Sequence, residues 1–315
     1  MSYLPATFPI IAILGPTAVG KTEISLRLAQ ELNAEIINYD SVQLYKYLNI
    51  GSAKPTAEER ATVPHHLLGI LTPDEPNDVA KFVRRATQII KQIRMRGKNV
   101  ILVGGTNMYL ESLLNGLTPC PGQHPGIRST LHFIVKSQGS HFLHEYLQNI
   151  DPESAERIHP HDHTRLFRAI EVFAQSGIPI STWHNTWHSK GISHQYEVLK
   201  LGLIRSIEEL YERINRRVDI MMKTGFVEEV QQLLQMGYSP ELNALQALGY
   251  RHIIGHLMGN YSLTQCIELM KRDHRHYARR QLIWMRADAK IHWFNPMVLN
   301  RQRAIWPYIH TRGTN

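Results

Sequence analysis

A glycine-rich segment near the start of the chain has the residue types that bind phosphate. Gly15 is followed five residues later by Gly20-Lys21-Thr22, which completes the pattern G-x-x-x-x-G-K-[ST]. In such a loop, backbone N–H groups surround phosphate oxygens, the lysine supplies positive charge and the Thr22 hydroxyl can bind Mg²⁺. The predicted phosphate-binding residues are Gly15, Pro16, Thr17, Ala18, Val19, Gly20, Lys21 and Thr22.

Two further polar groups follow apolar runs that have the length of buried strands. Asp40 comes directly after the run 35–39, and Thr106 follows the run 99–103 after two glycines. The carboxyl ends of parallel strands meet at one edge of an α/β sheet, where ligands bind, so we expect both side chains beside the phosphate loop. From its position alone, Asp40 is either a functional carboxylate or the N-cap of a helix.

The elements that would position these groups form an α/β pattern. The β-branched run before Gly15 predicts a strand, and apolar residues at helical spacing predict helices over 24–32 and 77–96. Residues 197–204 predict a return to the sheet, and the chain after Ser206 is helical in pattern nearly to its end. We predict a parallel sheet core that is P-loop NTPase-like.

A segment rich in Pro and Gly, residues 118–126, predicts a domain boundary. Residues 127–190, which follow it, are helical in pattern and rich in His and Arg. We therefore predict a helical insertion domain over residues 119–197, within a catalytic core formed by residues 1–118 and 198–315.

The composition indicates a globular protein with a polyanionic partner. The formal net charge is +8 and the sequence pI is near 9.4, which favours binding to nucleic acid. No apolar run reaches membrane-spanning length, and we expect no membrane association and a cytoplasmic location. His159, His161 and His163 alternate, but eighteen histidines make such groupings expected by chance, so a structural zinc site is the weaker interpretation.

A basic helix near the end of the chain is a candidate surface for phosphates. At 100° per residue, Arg272, Arg275, Arg279 and Arg286 fall within one stripe of about 60°. Such a stripe suits a row of nucleic-acid phosphates or the clamping of a diphosphate. The alternative is a solvated charged face.

The residues alone leave three functions open. A P-loop is typical of NTP hydrolysis or of a kinase, but an NTPase should have a second strand that ends in an Asp for Mg²⁺. Here the corresponding run, VILVGGT, has no acid, and Asp40 is the nearest carboxylate. A transferase with another phosphorylated donor, a small-molecule kinase with Asp40 as its base, and a non-catalytic RNA-binding protein all fit.

The motifs, taken in order over nearly the whole chain, closely resemble those of the bacterial tRNA dimethylallyltransferases, or isopentenyl-tRNA transferases. The matching segments are Gly15–Thr22 (GPTA-x-GKT), Asp40–Gln43 (D-S-x-Q), Gly51–Pro55 (G-[TS]-A-K-P), Val103–Thr106 (VGGT), Arg128 (P-x-[IV]-R), Arg165 and Arg168 (QRLxRALEV), Gly249–Arg251 (GYR) and Arg279–Arg286 ([KR]-R-Q-x-T-W-[FL]-R). This resemblance implies transfer of a dimethylallyl group from dimethylallyl diphosphate to N6 of adenine 37, beside the anticodon of a tRNA.

The resemblance also implies roles for individual residues. Lys21 would stabilise the leaving diphosphate together with Mg²⁺ on Thr22, Asp40 would accept the proton of the adenine amine, and Thr106 would position the reacting groups. We therefore expect Asp40, Thr106 and Lys21 to be catalytic.

The resemblance further implies contacts to the anticodon stem-loop of tRNA, and we expect the enzyme to act as a monomer. The expected contacts are Asp40, Ser41, Val42, Gln43, Thr106, Arg128, Thr164, Arg165, Arg168, Gln246, Gly249, Tyr250, Arg251, Arg272, Arg275 and Arg279. Thr164, Gln246 and His252 depart from the family's usual Gln, Arg and Gln, so individual tRNA contacts there differ from the family pattern.

Overall fold

The computed structural model describes residues 8–186 and 191–297 and separates them into two compact units. The core unit falls within residues 1–115 and 191–315, and the helical unit falls within residues 116–190. The predicted insertion, residues 119–197, overlaps the helical unit, although the segment from residue 191 onward belongs to the core unit. Residues 298–315, which we assigned to the core, lie outside the described part of the chain.

A parallel sheet organises the core unit. Its six strands, counted over the described residues, are β1 (Ile10–Leu14), β2 (Ala34–Asn38), β3 (His65–His66), β4 (Asn99–Val103), β5 (Val198–Leu203) and β6 (Ile291–Phe294). They are ordered β3-β2-β4-β1-β5-β6, and every pairing is parallel. The predicted parallel α/β core is confirmed.

Strand β1 lies inside this sheet and is buried along its whole length. Ile11 pairs with Ile101 on one side and with Leu199 on the other. A strand covered on both faces has a continuous apolar sequence, which explains the run IIAIL. Because β1, β2 and β4 point the same way, the loops that follow them meet at one edge of the sheet.

The first half of the core supplies the helices α1 (Lys21–Glu31), α2 (Ala57–Thr62), α3 (Val79–Met95) and α4 (Asn107–Asn115). The helix predicted over 77–96 is confirmed as α3. Asp78 caps its start by accepting a hydrogen bond from the Lys81 N–H, and its buried face includes Phe82 and Ile90.

The helical unit contains α5 (Pro125–Gln138), α6 (Ser140–Ile150), α7 (Pro152–Arg157), α8 (His163–Ser176) and α9 (Ile180–Thr186). It has its own apolar cluster, which includes Leu131, Leu147, Leu166 and Ile170. Buried Asp151 accepts hydrogen bonds from the Ser154 and Ser181 N–H groups and so fixes the starts of α7 and α9.

The second half of the core returns to the sheet through β5, after a short 3₁₀ helix at Ile192–His194. It continues with α10 (Ile207–Lys223), α11 (Phe226–Gln235), α12 (Tyr250–Leu257) and α13 (Leu263–Arg286). Helices α10 and α13 pack side by side. The expectation of helix nearly to the end of the chain was wrong at β6, a four-residue edge strand too short to show a period.

None of the helices in the described residues combines the length and the apolar character needed to cross a bilayer.

Candidate functional site

The phosphate loop joins β1 to α1 with a backbone that only certain residues allow. Gly15 and Gly20 have φ values of +150° and +111°. A Cβ on Gly15 would lie 2.9 Å from Val19 Cγ1 and 3.0 Å from the Leu203 carbonyl oxygen, so a side chain does not fit there. Because α1 begins at Lys21, its free N–H groups and its positive dipole end face the same space.

The Lys21 ammonium group is held by carbonyl oxygens of this loop. Its Nζ donates hydrogen bonds to the Gly15 and Pro16 carbonyl oxygens, both at 2.9 Å. Burial of the ammonium and repulsion by the Arg217 guanidinium lower its pKa to about 7, although the Asp40 carboxylate acts in the opposite direction. Lys21 is therefore only partly charged near neutral pH unless an anion joins it.

Three arginines from the chain after β5 reach the same loop. Arg205 Nε donates to the Val19 carbonyl at 2.9 Å, Arg213 Nε donates to the Ala18 carbonyl at 2.8 Å, and Arg217 Nη1 donates to Thr17 Oγ1 at 3.1 Å.

Arg217 also has a donor left over, because its Nε is buried and has no hydrogen-bond partner among the described residues. Buried donors are nearly always satisfied, so this atom is available to donate to a ligand in the cavity. These arginines were not among the site residues predicted from the sequence. The available signal was the spacing of Arg213 and Arg217, four residues apart on one face of an amphipathic helix.

Asp40 follows β2, Thr106 follows β4, and hydrogen bonds between Thr106 and Ser41 connect the two strand ends. Asp40 Oδ1 accepts a hydrogen bond from the Val42 N–H at 2.9 Å and a longer one from the Gln43 N–H at 3.4 Å. Thr106 Oγ1 accepts from the Ser41 N–H at 2.9 Å and donates to Ser41 Oγ at 3.1 Å. Residues 41–44 form turns and no helix follows Asp40 there, so Asp40 is not a helix N-cap.

Gln43, which we predicted as a tRNA contact, has partners within the core. Its Nε2 donates to the Ser52 and Ala53 carbonyls, both at 3.1 Å. Ala53 has a φ of +46°, an unfavourable conformation that these hydrogen bonds help to hold. Val42 is half-buried and packs against the core.

A cavity of about 320 Å³ connects these groups. The residues that line it and matter for chemistry are Thr17, Ala18, Gly20, Lys21, Thr22, Asp40, Gln43, Gly104, Gly105, Arg213, Arg217, Tyr277 and Gln281. A Cβ on Gly104 would lie 2.6 Å from the backbone of Tyr39, so glycine at this position lets the segment after β4 approach the end of β2 beside Asp40. The volume suits a small phosphorylated ligand.

The oxygen-bearing side chains of the cavity could bind a metal ion only if a bound ligand supplied further oxygen atoms. Thr22 and Asp40 both line the cavity, but the described residues contain no group of three or more His, Cys, Asp or Glu that could hold a metal. Mg²⁺ commonly uses few protein ligands and completes its shell with water and substrate phosphate oxygens. The set therefore fits Mg²⁺ bound together with a phosphorylated substrate.

Two of the predicted tRNA contacts in the helical unit are engaged inside it. Arg128 donates to both carboxylate oxygens of buried Glu171, at 2.9 and 3.1 Å. Arg168 donates to the Pro121 carbonyl at 2.6 Å and to Glu171 at 3.3 Å. These hydrogen bonds offset the effect of burial and lower the pKa of Glu171. Thr164 and Arg165 are exposed, and Arg165 pairs with Asp162.

The predicted contacts around α12 differ in their exposure. Tyr250 is fully buried and donates to Glu229 Oε1 at 2.7 Å, and Gly249 is buried with a φ of +94°. Gln246 and Arg251 are exposed. Arg251 pairs with Asp273 at 3.3 Å, and Gln246 donates to the Pro240 carbonyl at 2.8 Å. A tRNA can reach both of these side chains from solvent, whereas a contact through the Tyr250 side chain would need a rearrangement.

The arginine stripe on α13 is also not uniform. Arg272 pairs with Asp273 at 2.9 Å, and Arg275 donates to Asn215 of α10 at 2.7 Å. Arg279 and Arg286 are exposed. Arg272 is exposed as well, so the members of the stripe differ mainly in their partners: one is tied to α10 and another pairs with the acid beside it.

A phosphate loop at the edge of a parallel sheet, faced by arginines and a strand-end carboxylate, defines an enzyme of the P-loop class that acts on a phosphorylated substrate. The model of the IPP transferase family matches residues 43–288, and the chain belongs to that family, whose members are transferases.

Named relatives agree with this assignment. The chain is 43% identical over 284 residues to tRNA dimethylallyltransferase 2 of Geotalea uraniireducens, covering 90% of this chain and 91% of the relative. It is 45% identical over 287 residues to tRNA dimethylallyltransferase of Syntrophobacter fumaroxidans, covering 91% and 83%.

Solved structures give the same result. The tRNA isopentenylpyrophosphate transferase of Bacillus halodurans is 39% identical, with a TM-score of 0.67 and coverage of 92% and 90%. A eukaryotic dimethylallyltransferase solved acting on tRNA is 30% identical, with a TM-score of 0.80 and coverage of 96% of this chain and 80% of its own.

Proposed function

We propose that this protein is a tRNA dimethylallyltransferase, which transfers a dimethylallyl group from dimethylallyl diphosphate to N6 of adenine 37 and releases diphosphate. The observation that carries the proposal is the cavity of about 320 Å³, which is lined by Lys21, Arg213 and Arg217 and also by the Asp40 carboxylate. The cationic side chains can bind the diphosphate of the donor, and the carboxylate can accept the proton that the adenine amine loses.

The cationic groups act on the leaving group. When the allylic C1–O bond breaks, its electron pair moves to the diphosphate, where negative charge accumulates. Lys21, Arg217 and the loop N–H groups stabilise that charge, and the unsatisfied Arg217 Nε gains an acceptor. Mg²⁺, held by the Thr22 hydroxyl and the diphosphate oxygens, would supply further positive charge.

The carboxylate acts on the acceptor. Adenine N6 forms the new bond to C1, and its proton must leave. Asp40 Oδ1 is engaged by the Val42 and Gln43 N–H groups, so Oδ2, which lies against Gly105, is the oxygen that accepts the proton. Thr106 fixes the backbone directly after Asp40 through Ser41 and so maintains this orientation.

The acceptor is recognised as part of the anticodon stem-loop. Adenine 37 must leave its stack to enter a cavity, as other base-modifying enzymes require. The exposed members of the predicted set are the candidates for direct contact with the stem-loop: Thr164, Arg165, Gln246, Arg251, Arg272 and Arg279. Arg128, Arg168, Gly249 and Tyr250 would instead support the surfaces that make contact. We expect the enzyme to work as a cytoplasmic monomer.

The test is a transfer assay with mass spectrometry. Unmodified tRNA and dimethylallyl diphosphate are incubated with the protein and Mg²⁺, and the nucleosides are then analysed for N6-(dimethylallyl)adenosine. A tRNA with guanine at position 37 is the control and should remain unmodified. ATP should inhibit weakly and should not be hydrolysed. Absence of the prenylated nucleoside would reject the proposed function. ATP hydrolysis would favour the alternative of a kinase or an NTPase.

A further inference from the structure

Gln281 of α13 connects two parts of the cavity that are far apart in the sequence. Its Oε1 accepts a hydrogen bond from the Thr17 N–H in the phosphate loop at 2.9 Å, and its Nε2 donates to the Gly105 carbonyl after β4 at 2.9 Å. The side chain is 4% exposed. Both ends of the carboxamide are therefore used, and both partners belong to the cavity wall.

Gly105 in turn lies against the Asp40 carboxylate. A Cβ on Gly105 would be 2.8 Å from Asp40 Oδ2 and 3.3 Å from Gln281 Nε2. Tyr277, one turn before Gln281, also donates to the Gly105 carbonyl, at 3.0 Å. A shift of Gly105 would displace Asp40 Oδ2 on one side and Thr106 on the other.

We infer that Gln281 is a positioning residue that sets the distance between the phosphate loop and Asp40. This inference rests on the proposed function, in which the reacting carbon lies between the diphosphate at the loop and the amine at Asp40. A carboxamide is suited to the task because it offers an acceptor to the Thr17 N–H and a donor to the Gly105 carbonyl. A displacement of about 1 Å between reacting groups can cost on the order of a hundredfold in rate.

A purely structural role for Gln281 predicts something different. Loss of a buried hydrogen bond would then lower the stability of the protein, and the activity of the folded fraction would be unchanged. The positioning role predicts a slower chemical step in fully folded protein, with the binding of tRNA preserved.

The experiment compares two variants of the full chain with the wild type. Gln281→Met has a similar length but no amide, and Gln281→Glu keeps an acceptor for Thr17 while it loses the donor to Gly105. Gln265→Glu is the control on the same helix, because Gln265 accepts from the Ser262 N–H at the start of α13 and Glu serves there equally well. Single-turnover transfer is measured from pH 5 to 9, with tRNA affinity and Tm measured in parallel.

We expect Gln281→Met to slow single-turnover transfer about a hundredfold while tRNA affinity changes less than about threefold. We expect Gln281→Glu to slow transfer as well, because it loses the donor to the Gly105 carbonyl, and Gln265→Glu to match the wild type. Wild-type rates in Gln281→Met would overturn the inference, as would wild-type rates in Gln281→Glu if the Met variant fails to fold. Failure of the wild type itself to transfer the prenyl group would reject the proposed function, and this inference with it.

Discussion

The low pKa of Lys21 makes donor binding depend on pH in a direction that can be calculated. Only protonated Lys21 can neutralise the diphosphate, and in the free protein its pKa is about 7. A bound diphosphate restores the pKa towards its ordinary value of 10.5, so binding takes up a proton above pH 7. The diphosphate itself changes little there, because the second ionisation of a phosphate group is near pH 6.

The size of the effect follows from the protonated fraction. With a pKa of about 7, that fraction falls from about one half at pH 7 to about one in a hundred at pH 9. The Kd of the donor should therefore rise about fiftyfold between these values, which corresponds to about 2 kcal/mol. In Lys21→Arg the guanidinium stays charged, so its Kd should be nearly constant over the same range.

The assay is isothermal titration calorimetry with a thio-diphosphate analogue of the donor, without tRNA, in two buffers of different ionisation enthalpy. The wild type should take up close to one proton at pH 8 to 9, and Lys21→Arg should take up none. A wild-type Kd that stays constant from pH 7 to 9 would refute the assignment of Lys21 as the titrating cation.

Three further outcomes are expected. Asp40→Asn should slow transfer about a hundredfold or more with tRNA affinity nearly unchanged, and wild-type turnover would remove Asp40 as the base. Arg279→Ala should weaken tRNA binding and reduce the slope of log K against log salt by about one; an equal slope in variant and wild type would mean that this guanidinium is merely solvated. Gly51→Ala should lower Tm, because its Cβ would lie 2.2 Å from the buried Phe226 ring, a clash that costs about 1–3 kcal/mol. Gly122→Ala, where a Cβ meets nothing within 4 Å, is the control, and equal Tm values for the two variants would contradict the packing argument.

The parts of the fold that depend on local sequence could be predicted. The buried strand β1, the glycines of the phosphate loop and the amphipathic α3 each show a pattern within a short window. Strand β6 could not be predicted in this way. It is only four residues long, and it forms by pairing with β5 at the edge of the sheet.

The candidate site was predictable where its residues follow strands. The side chains that complete it come from helices far along the chain, as Arg217 and Gln281 do. The pattern of an amphipathic helix shows that such residues face a neighbour, but it does not identify the neighbour. Arg128 shows the converse case, because nothing near it in the sequence indicates that Glu171 is buried and accepts both its hydrogen bonds.

The elements that complete the phosphate-binding site lie far from the phosphate loop in the sequence, and this separation affects folding during ribosomal synthesis. Ribosomal synthesis produces the loop before the elements that support it, because Ile11 pairs with Leu199, and the Thr17 N–H binds a side chain 264 residues later. Contacts this distant in sequence form late and slowly. A nascent chain that has emerged only as far as α9 therefore has the complete phosphate-binding motif without β5, the three arginines or Gln281. We expect ribosome-bound chains truncated before α13 to bind no prenyl diphosphate, so the donor site is complete only after α13 has been synthesised.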